Sequence, residues 1–316
     1  MHWSLWCLVS ALGLIFLALL ISLICFLRVF YSPKRKVLGK DEYDTPEGEI
    51  YDVFKNDMIE WTREIRSMQH EDIDITSFDG LTLRGKYYEM TPGAPVEILF
   101  HGYRGSAERD LCGAVERAFA VGRNALIVNQ RASGTSDGHV ISFGINERRD
   151  CQEWIKRVIE KFGDDVKIVI TGISMGAATV MMAAGEPLPK NVVSVLADCG
   201  YSSPKEIICK VVKEMRLPPT LLYPFIRLGA RLFGGFNLEE YSPLEAMKKC
   251  TLPIVFVHGD ADDFVPYEMS ARLYKECASE KKLLITVPGA GHGLAYPVDR
   301  KGYVDRLNAI YKEWQI

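Results

Sequence analysis

Residues 166–178 read Val166-Lys167-Ile168-Val169-Ile170-Thr171-Gly172-Ile173-Ser174-Met175-Gly176-Ala177-Ala178. A run of β-branched and apolar residues stops at a glycine. A serine framed by Gly172 and Gly176 follows, and then small and apolar residues at helical spacing. This is a strand, a sharp turn and a helix. Such a turn lifts the hydroxyl of Ser174 above the strand end. It also aims the Met175 amide, at a helix N-terminus, toward developing negative charge. Glycines on both sides suit a bend where any side chain would collide with neighbouring backbone.

Strand and helix signals alternate outward from this point. Apolar runs at 96–100, 125–129, 166–171, 192–197, 254–257 and 283–287 have the continuous Val/Ile/Leu character of strands buried on both faces. Helical patterns cover 108–121, 147–162, 175–184, 267–277 and 303–314. Residues 73–76 and 81–85 flank Asp79-Gly80 and predict a hairpin. The expected domain, 71–316, is an α/β domain with a mostly parallel eight-stranded sheet and helices on both faces. A long interruption at about 204–250 is rich in proline, glycine and large apolar residues. It reads as a helical cap over the site, the alternative being a packed helical insertion.

A serine hydroxyl needs a base, and the base needs an acid to fix its tautomer. His292, in Pro288-Gly289-Ala290-Gly291-His292-Gly293, follows the last strand and is the candidate base. The run His258-Gly259-Asp260-Ala261-Asp262-Asp263 follows the preceding strand and offers three carboxylates. Asp262 is the expected acid, with Asp260 as a turn cap and Asp263 as a cap or solvent group. The backbone N–H of Tyr103, in His101-Gly102-Tyr103-Arg104-Gly105-Ser106, is the expected second oxyanion donor beside Met175. His101 and His258 read as loop-shaping and strand-end histidines.

These motifs resemble the α/β-hydrolase superfamily, in its serine-aminopeptidase-like or acylglycerol-lipase-like branch. The likeness is to membrane-anchored bacterial hydrolases of unassigned substrate. It spans about 71–316 and rests on residues 101–106, Asn129–Ser136, 172–176, 258–266 and 289–293. Relatives often carry Asp and Gly where this chain has Asn129 and Ala132. The resemblance implies acyl transfer to water through an acyl-enzyme, with no cofactor and no metal. The expected reaction is hydrolysis of a lipid-derived or small acyl ester. The alternatives are a serine peptidase for short peptides, with Glu206, Glu214, Glu239 or Glu240 holding the amine, and a non-catalytic scaffold.

The N-terminal 30 residues carry a different message. No charge occurs between Trp3 and Leu27, enough to cross a hydrocarbon core as a helix. A signal peptide would show a basic n-region and a small-residue cleavage site. Here Met1 and His2 precede the run, no A-x-A ends it, and Ile24 before Cys25 makes a poor lipoprotein site. Residues 1–30 are therefore the expected single-pass anchor, and 31–70 a tether with a lead-in helix. Arg28 and the cluster Lys34, Arg35 and Lys36 follow the run, which predicts a cytoplasmic domain. The eight cysteines show no CxxC spacing, so metal ligation and a disulfide framework are not expected. Charged residues make up 25% of the chain and the net charge is −3, without the basic footprint of a nucleic-acid partner. Oligomeric state leaves no sequence signal.

Overall fold

In the computed structural model, which describes residues 2–33, 39 and 41–316, the eight predicted strands join one sheet. They are β1 (Glu71–Thr76), β2 (Thr82–Tyr88), β3 (Val96–Phe100), β4 (Asn124–Val128), β5 (Ile168–Ile173), β6 (Val192–Asp198), β7 (Ile254–Gly259) and β8 (Lys282–Val287). Their order is β1-β2-β4-β3-β5-β6-β7-β8. β2 runs antiparallel to β1 and β4, and every later pairing is parallel. β3, β4 and β7 are buried along their whole length, which is why they read as unbroken apolar runs.

Among the described residues twelve helices accompany the sheet: α1 (His2–Val29), α2 (Glu49–Asp52), α3 (Lys55–Ser67), α4 (Ala107–Ala120), α5 (Glu147–Phe162), α6 (Met175–Ala184), α7 (Pro204–Glu214), α8 (Pro219–Phe233), α9 (Pro243–Met247), α10 (Tyr267–Glu276), α11 (Ala295–Val298) and α12 (Arg300–Trp314). Two cores form. One, around Trp154, Ile98, Ile170 and Met181, packs α5 and α6 on one face. The other, around Leu99, Leu111, Tyr303 and Leu307, packs α4 and α12 on the other. α6 is apolar all round and wholly buried, as a helix inside a core must be.

The expected free tether after residue 30 joins the domain earlier than that. Phe26 and Phe30 are buried. Phe30 meets Phe143 and Phe236 edge-on at 5.8 and 5.2 Å between ring centroids. Ser32 then donates to the His139 carbonyl at 2.8 Å, and Tyr31 bridges Val140. Aromatic burial at the end of α1 thus fixes the helix to the domain. The Lys34–Lys36 cluster used for orientation lies outside the described residues.

One buried charge network braces the sheet below Ser174. Glu97 on β3 accepts from Arg117 (2.6 Å), Arg123 (3.2 Å) and Thr171 (2.5 Å). Burial alone would favour the neutral acid, but Arg117 and Arg123 hold its pKa below the usual carboxylate range. Glu97→Ala strands two buried guanidinium groups and is expected to cost about 3–5 kcal/mol. The lowered midpoint of denaturant unfolding of the full chain measures it.

Candidate active site

The bend at Ser174 is built as its sequence demands. Ser174 adopts φ 57° and ψ −115°, a left-handed conformation rare for a side-chain-bearing residue. A Cβ on Gly172 would lie 2.1 Å from the Gly176 carbonyl carbon, and one on Gly176 2.0 Å from the Phe100 carbonyl oxygen. The turn is held by the Ser174 amide, which donates to the Asp198 carbonyl at 2.8 Å. Met175 is the first residue of α6, so its amide lacks an intrahelical acceptor.

His292 arrives from the loop after β8. Its Nε2 stands 2.9 Å from Ser174 Oγ, and its Nδ1 2.8 Å from Asp262 Oδ2. The carboxylate acceptor puts the ring proton on Nδ1 and leaves Nε2 to accept from the serine. Asp262 is buried, and its Oδ1 accepts from the amides of Phe264 (2.9 Å) and Val265 (2.8 Å). Burial works against its charge. Hydrogen bonds from His258 and His292 and the neighbouring amides overcome it and hold the carboxyl far below its ordinary pKa. Asp260 accepts from the Gly289 amide at 2.6 Å, clamping the turn that leads to His292.

Two supporting residues carry roles the sequence reading did not give them. His258, fully buried, sits 3.2 Å from Asp262 Oδ2 while its ring also meets Val265 O and Ser270 Oγ. It steadies the far side of the acid. Tyr51, read only as part of a lead-in helix, donates its hydroxyl to the His292 carbonyl at 3.0 Å. The HGD run was the available signal for the first; nothing local marked the second. His101 is buried as expected, with Nε2 accepting from the Gln130 amide at 3.0 Å. In the loop Asn129–Ser136, Ala132 sits at φ 59°, which explains why relatives use glycine there. Asn129 Oδ1 receives the Ala107 amide at 2.9 Å, serving as an acceptor as an aspartate would.

A cavity of about 520 Å³, within the range of roughly 300–1,000 Å³ usual for ligand pockets, opens over Ser174 and His292. Its apolar wall comes from Met58, Trp61, Cys112, Gly113 and Tyr296, and its roof from 46–51. Tyr103 and Gly102 flank the serine. Among the described residues, the stretch 204–250, expected as a cap over the site, supplies none of this lining. α8 packs on α1 instead: a Cβ on Gly229 would lie 2.4 Å from the Ser22 carbonyl, and Phe233 stacks obliquely on Phe26. Pro218 and Pro219 open α8, and apolar contact with the N-terminal helix takes up part of its inner face.

Cys199 Sγ clusters with Asp262 and His292 within 4.8 Å. Burial, with the charges of Asp198 and Asp262, pushes this thiol well above its ordinary pKa. It stays protonated and is a poor metal ligand in that state.

The comparisons with known proteins agree with this architecture. A family model described as serine aminopeptidase, S33, matches residues 242–298, which include Asp262 and His292. The YqkD protein of Bacillus subtilis is 31% identical over 184 residues, covering 58% of this chain and 60% of the relative. The bem46 protein of Schizosaccharomyces pombe is 25% identical, covering 72% of each. An esterase of Pyrococcus furiosus superposes with a TM-score of 0.67 at 21% identity, covering 90% of this chain and 98% of that one. This chain has the α/β-hydrolase fold. Its nucleophile-type bend, its Ser-Asp-His chain order and its sheet order all belong to that fold.

Beside Ser174 the cavity floor is polar. Asp198 Oδ2 accepts from Tyr303 at 3.1 Å, while Asp198 Oδ1 and Arg117 Nη1 lack protein partners. Burial pushes the Asp198 carboxyl up to about 6, against the pull of His258 and Arg117. A carboxyl raised in the folded state stabilises the fold below its unfolded pKa of about 3.9 and loses that contribution as pH rises through 6. Asp198→Asn is therefore expected to raise the melting temperature at pH 8 and change it little at pH 4. Thermal unfolding across that range checks the sign.

Proposed function

We propose that this chain is a serine hydrolase that cleaves a carboxylic ester with a lipid-derived or small acyl group. The observation that carries the reading is the continuous relay Ser174 Oγ–His292 Nε2 at 2.9 Å and His292 Nδ1–Asp262 Oδ2 at 2.8 Å, at the mouth of an apolar cavity. In this reading Ser174 Oγ attacks the ester carbonyl and His292 Nε2 takes its proton. Asp262 holds the ring and stabilises the imidazolium without itself becoming protonated. The amides of Met175 and Tyr103 receive the oxyanion. Collapse expels the alcohol, which leaves with the proton from His292. Water, deprotonated by the same ring, then releases the acid from Ser174. The fold supports a hydrolase, and the apolar wall favours an acyl chain.

α1 is long and apolar enough to cross a membrane. We read it as a single-pass anchor, with the domain on the cytoplasmic side by the positive-inside rule. Tyr103 ties the site to this helix, since its hydroxyl donates to the Val29 carbonyl at 2.7 Å. The substrate is then drawn from, or near, the bilayer.

The family-model description favours one second reading, a peptidase acting on short peptides. The glutamates that a peptide amine would need are committed elsewhere. Glu239 pairs with Arg227 and Lys205, Glu240 with Arg148, Glu206 with Arg272, and Glu214 with Lys210. The ester reading stands above it for that reason.

A fluorophosphonate probe is expected to label the full-length protein once, and Ser174→Ala to abolish both labelling and p-nitrophenyl ester turnover, with thermal stability kept within about 0.5 kcal/mol. Labelling that survives the substitution removes Ser174 from the mechanism. No labelling of the wild type returns the scaffold reading. Gly113 faces Trp61, and a Cβ there would lie 2.9 Å from the ring. Gly113→Val is expected to push the indole into the cavity and cut kcat/KM for octanoyl esters at least tenfold relative to acetyl esters. Equal losses for both chain lengths would place the acyl group elsewhere.

A further inference from the structure

α1 presents too little free helix for a bilayer. Residues 3–17 are exposed all round, whereas from residue 18 onward one face turns to the domain. At 1.5 Å per residue the free part is about 22 Å long. A hydrocarbon core is about 30 Å thick. The missing length, about 8 Å by the same two values, is the stretch around residues 18–22. There α1 already lies beside α8, through Ser22 against Gly229 and Phe26 against Phe233. If α1 spans, its span is complete only when the flank of α8 lies at hydrocarbon depth.

α8 is built for that position. Its inner face buries Tyr223, Ile226, Gly229 and Ala230. Its outer face carries Leu221, Leu228 and Leu232, which are 61%, 36% and 52% exposed. These positions, with half-buried Phe225 between them, follow a 4-3-4 spacing and form one stripe along the helix. Leu217, just before the helix, and Phe233, at its end beside Phe26, are also 43% and 39% exposed. A contiguous apolar stripe of this kind is the sort of surface that marks a protein or membrane contact. The segment 213–233 also holds four basic residues, Lys213, Arg216, Arg227 and Arg231, against one acidic residue, Glu214. Arg231 is exposed beside the stripe, where phosphate headgroups would meet it, while Arg227 pairs with Glu239 at 2.7 Å.

We infer that the outer face of α8 is a second membrane contact, lying in the interface of an anionic bilayer beside the α1 span. This rests on the reading of α1 as an anchor. It assigns the long 204–250 insertion to holding the domain partly sunk in lipid. The insertion's apolar residues then match a membrane depth of about 5–10 Å, the range for interfacial helices.

The test uses full-length protein in vesicles of phosphatidylcholine and phosphatidylglycerol, with a fluorescent amino acid at one position at a time. Native free cysteines make thiol labelling ambiguous. The positions are Leu228, Ala11 within α1, and Lys301 on α12, whose side chain is 87% exposed. The quencher is a lipid carrying a nitroxide high on its acyl chain. Quenching at Ala11 and Leu228, at least threefold above Lys301, is the expected result. Quenching at Ala11 with Leu228 equal to Lys301 keeps the anchor and overturns the α8 contact. Absence of quenching at both overturns the anchor and the contact together. Quenching at Leu228 alone supports the contact and rejects the span.

Discussion

Everything at this site depends on one strained residue. Ser174 is held at a positive φ by its place between β5 and α6, and the Asp198 carbonyl pins its amide. The strain persists because the surroundings leave no alternative: Gly172 and Gly176 bring two backbones within distances that no side chain tolerates. The same contact orients the hydroxyl toward His292 and leaves the first amide of α6 pointing outward. A looser turn would lose both at once. The buried Glu97 network matters for the same reason, since Thr171, one of its members, lies on the strand that ends in the bend.

The relay is held from both ends. Asp262 is fixed by the Phe264 and Val265 amides and flanked by two imidazoles, His258 below and His292 above. The His292 loop is tied at its start by Asp260 to Gly289 and at its backbone by the Tyr51 hydroxyl. The second tie comes from a residue 241 positions away in the chain. The N-terminal segment is thus part of the site's construction: Pro46, Ile50 and Tyr51 line the cavity, and Met58 and Trp61 of α3 join Cys112, Gly113 and Tyr296 in its apolar wall.

Much of this was legible in the sequence, and the divide follows the range of the interactions. The sheet, the hairpin and the placing of Ser174, Asp262 and His292 at strand ends come from local patterns: apolar runs, an Asp-Gly turn, glycine-flanked polar residues. The choice of Asp262 over Asp260 rested on the closeness of Asp260 to its strand, and the structure gives Asp260 a turn-clamping bond. The second histidine on Asp262 lies only four residues before it, and the HGD run was its local signal. The roof over the cavity was not legible: it arises where distant segments meet, and Tyr51 carries no local mark that separates it from any other helix tyrosine.

Among the described residues, the stretch 204–250 reaches the rim of the site only through Lys210 of α7, which meets Asp263 and Phe264, while α8 lies against α1. Its apolar surplus signalled a large surface needing cover, and a substrate was the natural candidate for the other side. The chain already held a partner for it in α1, a 28-residue apolar helix against the 15 residues of α8. Gly229 admits the Ser22 backbone, Phe233 meets Phe26, and the remaining leucines face outward. On the reading of α1 as an anchor, the apolar face left open beside it takes lipid as its cover, because burying it there needs no new protein surface. On the same reading, the bond from Tyr103 to Val29 makes the depth of that pair of helices set how far the serine stands from the bilayer.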